Sequence, residues 1–357
     1  MAIMMVYIHI PFCISKCIYC DFYSETDLSL KKKYLNALKK EIDLRYKKEK
    51  VSSIYFGGGT PSILSANELK MLISKFNLSK SCEITIECNP EDLSEEKVKD
   101  YTKCGINRFS LGVQSLNNFE LNLLKRRHNS EKAIEAIKIL KENVKNFSCD
   151  LIVGIKGQLK ETLKESMDKI FSFETPHISL YALELKKYKH LSKNKDRTAE
   201  LLYFAWEILK KNGYIHYEIS NFAKDGFICK HNMGYWQRKN YFGFGPSAHS
   251  FINDKRYSNY KSIEKYISKI EKGHLPMKSI ERFSYNTALF EKIILNLRTI
   301  EGTQKKYFKK EIISSLKKDG FLTEDRGKIY LTEKAMLVQN SVLLKLLLNL
   351  KKEKMIV

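Results

Sequence analysis

The chain has 357 residues, 43% apolar and 11% aromatic, enough for one large domain and a smaller companion; six prolines and no low-complexity tract exclude a disordered chain. A net charge of +22 raises nucleic acid as a partner. Only ten of the 63 basic residues are Arg, however, and the Lys side chains are spread along helical stretches such as Lys31–Lys33, which reads as a solvated basic surface with no nucleic acid expected.

The segment up to Ile10 has no basic leader and does not read as a signal peptide. The most apolar stretch, Ala335–Leu350, is interrupted by Gln339, Asn340, Lys345 and Asn349 and is too short to span a bilayer. A cytoplasmic protein without a transmembrane segment is expected, with at most transient membrane contact. Eight cysteines without a secretion signal argue against a disulfide framework, and three of them sit close together.

In chain order, short β-like runs alternate with helical ones. Val6–Ile10 reads as a strand stopped by Pro11, and Lys31–Lys47 as a helix. Val51–Phe56 is a β-branched and aromatic strand running into Gly57, Gly58 and Gly59. Ser65 and Glu68 form a capping-box signature ahead of Leu69, Leu72, Ile73 and Phe76. Glu83–Cys88, Arg108–Val113, Phe147–Ile155 and His177–Leu183 continue the strands, and Tyr214–Ser220 adds one after a helix ending at Gly213. The pattern predicts an α/β core over residues 1–220 with about six β/α units around a parallel sheet.

Periodicity alone leaves open a doubly wound sheet or a barrel. Unusual polar residues fall at the ends of several strands: the cysteines after Ile10, the glycines after Phe56, Glu87, Gln114 and Asp150. Their convergence on one ligand is easier in a curled sheet, which favours a partial (β/α)6 TIM-like barrel. Residues 221–279 are expected to form a connecting loop or hairpin. Residues 280–357 predict a small C-terminal helical, winged-helix-like domain, with helices over Thr287–Leu297 and Lys305–Lys318 and a hairpin turning at Arg326 and Gly327.

Cys13, Cys17 and Cys20 form a C-x3-C-x2-C loop just past the first strand. Three thiolates can ligate three irons of a 4Fe–4S cubane and leave the fourth open to chelation by an amino acid's amine and carboxylate. Zinc is the alternative, but structural zinc favours four ligands in paired spacings, and the nearest second pair is Cys229 and His231. Gly57 to Gly59, with Thr60 and Pro61, would let the backbone approach a ligand closely. Glu87, Gln114, Arg126 and Asp150 read either as caps and surface ion pairs or as ligand contacts at strand ends. His231, in an H-N-x-x-Y-W string with Tyr235 and Trp236, reads either as a buried hydrogen-bonded imidazole or as a heme ligand beside flat rings. Cys229 is a second candidate heme ligand and His249 an outside one.

The cysteine loop and the glycine turn resemble the radical SAM superfamily. From Tyr7 to Val342 the chain resembles the oxygen-independent coproporphyrinogen III oxidase family within it. The resemblance implies a 4Fe–4S cluster on Cys13, Cys17 and Cys20. It also implies S-adenosylmethionine (SAM) at Tyr7, Tyr19, Gly58, Gly59, Thr60, Glu87, Gln114, Arg126 and Asp150. A departure falls between Val153 and Gln158, where the family usually reads Gly-Leu-Pro and Lys156 takes the proline's place.

Two branches of that family compete. The oxidases resemble a pattern with a fourth cysteine two residues past the third, where Phe22 stands, and with a longer N-terminal extension than the twelve residues before Cys13. The H-N-x-x-Y-W string is similar to the heme-chaperone, HemW-like branch. The resemblance therefore implies a chaperone that binds heme, a 4Fe–4S cluster and SAM and delivers heme to a hemoprotein acceptor, such as a respiratory membrane enzyme. No catalytic residue is assigned, the electron donor is unspecified, and a homodimer is a candidate assembly. Coproporphyrinogen III dehydrogenase is the alternative reading, and an RNA-modifying radical SAM enzyme a second.

Overall fold

The computed structural model describes residues 3–185 and 195–350; the last seven residues of the predicted C-terminal unit lie outside them. Six parallel strands lie side by side in chain order: β1 (Ile3–Ile10), β2 (Lys50–Gly58), β3 (Asn77–Cys88), β4 (Arg108–Gln114), β5 (Phe147–Val153) and β6 (His177–Ala182). The crossovers carry α1 (Lys31–Arg45), α2 (Ala66–Ile73), α3 (Glu95–Lys103), α4 (Asn118–Leu123) with α5 (Ser130–Asn143), and α6 (Lys160–Phe171). A doubly wound sheet reverses its strand order at a switch point. This order never reverses, so the core is of the barrel type.

Local chemistry starts the helices where the sequence says it should. Ser65 and Glu68 cap α2 reciprocally, with Ser65 Oγ accepting from Glu68 N and Glu68 accepting from Ser65 N. Ser94, Asn117 and Asn129 cap α3, α4 and α5 with their side chains.

The strands obey a two-residue alternation that separates two interiors. On β4, Phe109, Leu111 and Val113 join the apolar core under the helices, whereas Arg108, Ser110, Gly112 and Gln114 border cavities on the other face. On β5, Phe147, Cys149, Leu151 and Val153 join the core, and Asp150 faces a cavity. On β6, Ile178 and Leu180 do the former, and His177, Ser179 and Tyr181 the latter.

The expected seventh strand is built differently. α7 (Lys195–Lys211) leads to β7 (Ile215–Glu218), but the chain turns back at once into β8 (Asn221–Ala223), which pairs antiparallel with both β7 and β6. Two residues between strands permit only an antiparallel return, so β8 occupies the place that a continued parallel series would give to β7.

Residues 221–279 are likewise more than a connecting loop. After α8 (Lys230–Trp236), β9 (Tyr241–Phe244) pairs parallel with β1. β10 (His249–Ile252), β11 (Lys255–Asn259) and, after α9 (Ile263–Glu271), β12 (Met277–Arg282) extend that edge antiparallel. Gly243 permits the β9–β10 crossing, since a Cβ there would meet His249 O at 1.8 Å.

Residues beyond 284 form α10 (Tyr285–Leu297), β13 (Thr303–Gln304), α11 (Lys310–Lys318), β14 (Leu322–Asp325), β15 (Lys328–Leu331), α12 (Glu333–Leu337) and α13 (Gln339–Leu348). The β14–β15 hairpin turns on Arg326 and Gly327, both at positive φ as a two-residue turn requires. No helix among the described residues is long and apolar enough to cross a membrane.

A buried carboxylate ties the added strands to the barrel. Glu41 on α1 is fully buried. Its Oε1 accepts from Arg45 Nη1 (2.7 Å) and Asn259 Nδ2 (2.8 Å), and its Oε2 from Gly245 N (2.8 Å) and Tyr266 Oη (2.7 Å). Arg45 in turn donates to Gly243 O and Ser250 Oγ. Removing one partner of such a pair leaves an uncompensated charge. Glu41→Ala is expected to cost about 3–5 kcal/mol of unfolding free energy by urea titration, and a loss below about 1 kcal/mol would contradict this role.

Candidate functional site

The cysteine loop is fastened at both ends. Cys13 N donates to Glu25 O and Glu25 N to Pro11 O, so the segment leaving β1 pairs with its own return. Gly59 N donates to Ile10 O (2.8 Å) and Thr60 N to Phe12 O (2.7 Å), pinning the loop to the end of β2. A Cβ on Gly59 would stand 2.5 Å from Phe12 O, a backbone atom with no room to give, and Gly58 adopts φ +112°. The glycines are thus required by the close approach of two backbones.

Cys13, Cys17 and Cys20 all line one cavity of about 480 Å³ at the C-terminal edge of the parallel strands. Burial raises the pKa of the Cys20 thiol, and the neighbouring Cys13 and Cys17 add to the rise. Thr60 Oγ1 donates to Cys13 Sγ (3.4 Å). Arg126 Nη1 lies 3.2 Å from Cys17 Sγ and 3.3 Å from Tyr19 Oη, while Nη2 donates to Asn89 Oδ1 (2.5 Å) and Gly112 O (3.1 Å). One guanidinium therefore joins the cysteine loop to the ends of β3 and β4, and its charge offsets the negative charge that three thiolates would bring.

Among the described residues, no three His, Cys, Asp or Glu side chains converge as ligands of a single metal ion. Three thiols on one cavity beside Arg126 suit three cysteine-bound corners of a cubane. The donor set fits a 4Fe–4S cluster.

The same cavity is lined by Tyr19, Gly58, Gly59, Thr60, Glu87, Gln114, Arg126 and Asp150, eight of the nine residues expected to hold SAM. Tyr7, the ninth, borders an adjoining cavity on the barrel interior that shares Gly58 and Glu87 with the first, and its hydroxyl is 3.0 Å from His9 Nδ1. Two polar atoms at the wall of the larger cavity, Arg126 Nε and Asp150 Oδ1, are buried without a hydrogen-bond partner among the described residues. Unpaired buried polar groups are costly, so these two favour a polar ligand such as SAM. Gln114 is held at φ +66° where β4 ends, a conformation that few non-glycine residues adopt.

Glu87 accepts from Tyr55 Oη (2.9 Å) and Gly58 N (3.1 Å). Burial raises its carboxyl from 4.5 to about 7, with the Tyr55 hydrogen bond opposing the rise. Its remaining accessible surface faces the cavity. Asp150 is also raised, chiefly by burial, although Ser179 and Ser110 hydrogen bonds oppose it.

Several site residues carried no separate signal in the sequence. Asn89 receives Arg126 and reaches Thr60. His128, beside Arg126, donates from Nε2 to Val113 O (3.1 Å) and has Nδ1 3.2 Å from Glu91 Oε2. Phe22, at the position of the oxidases' fourth cysteine, is 66% exposed and borders both cavities. The loop with the departure at Lys156 is held by Gln158, whose Oε1 accepts from Gly154 N and whose Nε2 donates to Glu120 and Ile152 O. Lys156 itself is exposed, so its difference from proline leaves those contacts intact.

The heme candidates lie apart from the thiols. His231 is buried, with Nδ1 2.8 Å from Ser53 Oγ and Nε2 3.0 Å from Tyr235 Oη. Cys229 Sγ donates to Glu83 Oε1, and burial pushes its thiol up to about 12. Cys229, His231 and Tyr235 border the second cavity, of about 260 Å³, which Trp236 does not line. His249 stands exposed on β10.

Comparison with known proteins agrees with this geometry. Residues 7–170 match the radical SAM superfamily. The heme chaperone HemW of Lactococcus lactis is 33% identical, over 96% of this chain and 97% of that protein. The heme chaperone HemW of Bacillus subtilis is 32% identical, over 94% and 97%. The chain belongs to the HemW family of radical SAM proteins. The coproporphyrinogen III oxidase HemN of Escherichia coli shares the fold, with a TM-score of 0.83 at 20% identity over 97% of this chain and 90% of that one.

The raised Glu87 carboxyl has a consequence for stability. A folded pKa of about 7 against an ordinary 4.5 means that the folded state binds the extra proton between those values. Its contribution is complete below pH 4.5 and is lost as pH rises through 7. In the cluster-free protein, Glu87→Gln should flatten the decline in urea stability across that window, and superimposable profiles for the two proteins would refute the assignment.

Proposed function

We propose that the chain holds a 4Fe–4S cluster on Cys13, Cys17 and Cys20, binds SAM beside it, and carries heme to a hemoprotein acceptor. The observation that carries this reading is the single cavity that gathers the three thiols with Arg126, Glu87 and Asp150, in a chain whose HemW relatives match it from end to end. When bound, the cluster would supply an open iron for the methionine end of SAM and an electron for its sulfonium. The chain's own part is to close the loop through Gly59 and Thr60, to set the cluster's charge environment through Arg126, and to offer Glu87, Gln114 and Asp150 as polar contacts. A cytoplasmic location, a membrane-bound respiratory acceptor and a homodimeric assembly belong to the same proposal.

Phe22 favours this reading over coproporphyrinogen III dehydrogenase, because a phenyl ring cannot supply the thiol that the oxidase pattern has there. His231 is proposed as the heme ligand, and the geometry sets a condition on it. Its Nε2 can reach iron only after releasing the Tyr235 hydroxyl. Hemin titrated into the anaerobically prepared protein is expected to give a Soret shift that His231→Ala abolishes and Tyr235→Phe preserves. A shift that survives His231→Ala would remove His231 as the ligand. Robust conversion of coproporphyrinogen III, with release of 5′-deoxyadenosine, would displace the chaperone reading itself.

A further inference from the structure

The second cavity, of about 260 Å³, lies inside the barrel and shares Phe22, Gly58, Glu87, Ser110 and Tyr181 with the larger one. Its wall includes Arg108, the first residue of β4, which is only 2% exposed. A guanidinium cannot shed its charge, and burying one without a partner is among the more costly arrangements in a protein. Four carboxylates among the described residues lie nearby: Glu83, Glu87 and Glu218 are occupied by other donors, and Asp150 accepts from Ser110 while its Oδ1 stays unpaired. Glu83 accepts from Lys230 N, His231 N and Cys229 Sγ. Glu87 accepts from Tyr55 and Gly58, and Glu218 from Asn221, Asn232 and Ser220 N.

Orphaned polar atoms lie on the wall of this chamber and, at Thr85, behind it. Arg108 Nε, His177 Nδ1 and Thr85 Oγ1 are all buried without a hydrogen-bond partner among the described residues. Thr85 sits directly opposite Arg108 in the β3–β4 register, and His177 borders the cavity. A buried cation and unsatisfied polar groups at one cavity make a site for an anion with several acceptor oxygens.

We propose that this chamber binds a carboxylate through Arg108, either a free small carboxylic acid or a carboxylate arm of the heme proposed at His231, which borders the same chamber. Arg108 offers its planar fork of N–H donors to the two carboxylate oxygens. The free acid needs none of the cluster or heme assignments; the arm rests on the heme reading made above.

The test uses the full chain with its cluster, wild type and Arg108→Lys, which keeps the charge but loses the planar fork. Sodium acetate, titrated at constant ionic strength against chloride, is expected to raise the melting temperature saturably in the wild type, with at least a tenfold weaker midpoint in Arg108→Lys. That outcome supports the free-acid source. Should acetate have no effect while hemin binds at least tenfold more tightly than its dimethyl ester in the wild type and equally in Arg108→Lys, the arm is the source. Arg108→Gln, which removes the charge as well, provides a second variant and is expected to weaken the same response at least as much. The proposal is overturned if neither acetate nor esterification has an effect, if inorganic phosphate saturates the response where acetate does not, or if the responses are identical in the Arg108 variants.

Discussion

The constraint on which the rest of the molecule depends is the alternation of side chains along six parallel strands. A strand points successive residues to opposite faces, so each strand must satisfy two environments at once. Here one face meets helices and the other meets the barrel interior. β4 shows the division most plainly, with Phe109, Leu111 and Val113 in the core and Arg108, Ser110, Gly112 and Gln114 on the inner side. The apolar layer supplies most of the burial, which frees the inner layer to carry charged and hydroxylated groups. The cost of those inner groups falls where ligands would meet them.

The site is assembled by tying strand ends together. Gly59 and Thr60 hold the cysteine loop to β2, and Arg126 links it to Asn89 after β3 and to Gly112 on β4. Three strands therefore fix the thiol-bearing loop, which itself has little regular structure. This is why the loop can expose Ile14 and Phe22 and still keep its cysteines on one cavity. Loops carry the chemistry and the scaffold sets its geometry.

Much of this was legible in the sequence, and the exceptions have physical causes. β1, β2, β3 and β5 stand out because they are apolar runs that meet Pro11, Gly57, Asn89 and Gly154, and the α2 capping box is purely local. β9 to β12 were hidden because they are short and mix aromatic, charged and glycine residues, with their strand character supplied by the neighbours they pair with. Glu41 was hidden because a carboxylate in a Lys-rich helix reads as solvated, and its partners Asn259 and Tyr266 come from a distant part of the chain. The reversal of β8 follows from a two-residue turn that a strand propensity does not reveal. At the site, the C-x3-C-x2-C spacing marked the thiols, and the resemblance to the radical SAM superfamily pointed to most of the residues that share their cavity. It did not separate Tyr7, which faces the smaller cavity, from the residues that line the larger one.

Anaerobic purification followed by metal and sulfide analysis, with EPR of the reduced protein before and after adding SAM, tests the central claim most directly. The account predicts about four irons and four sulfides per chain, their loss in Cys17→Ala, and a cluster signal that changes when SAM is added. Zinc in place of iron, or a signal indifferent to SAM, would contradict an iron left open at the mouth of this cavity.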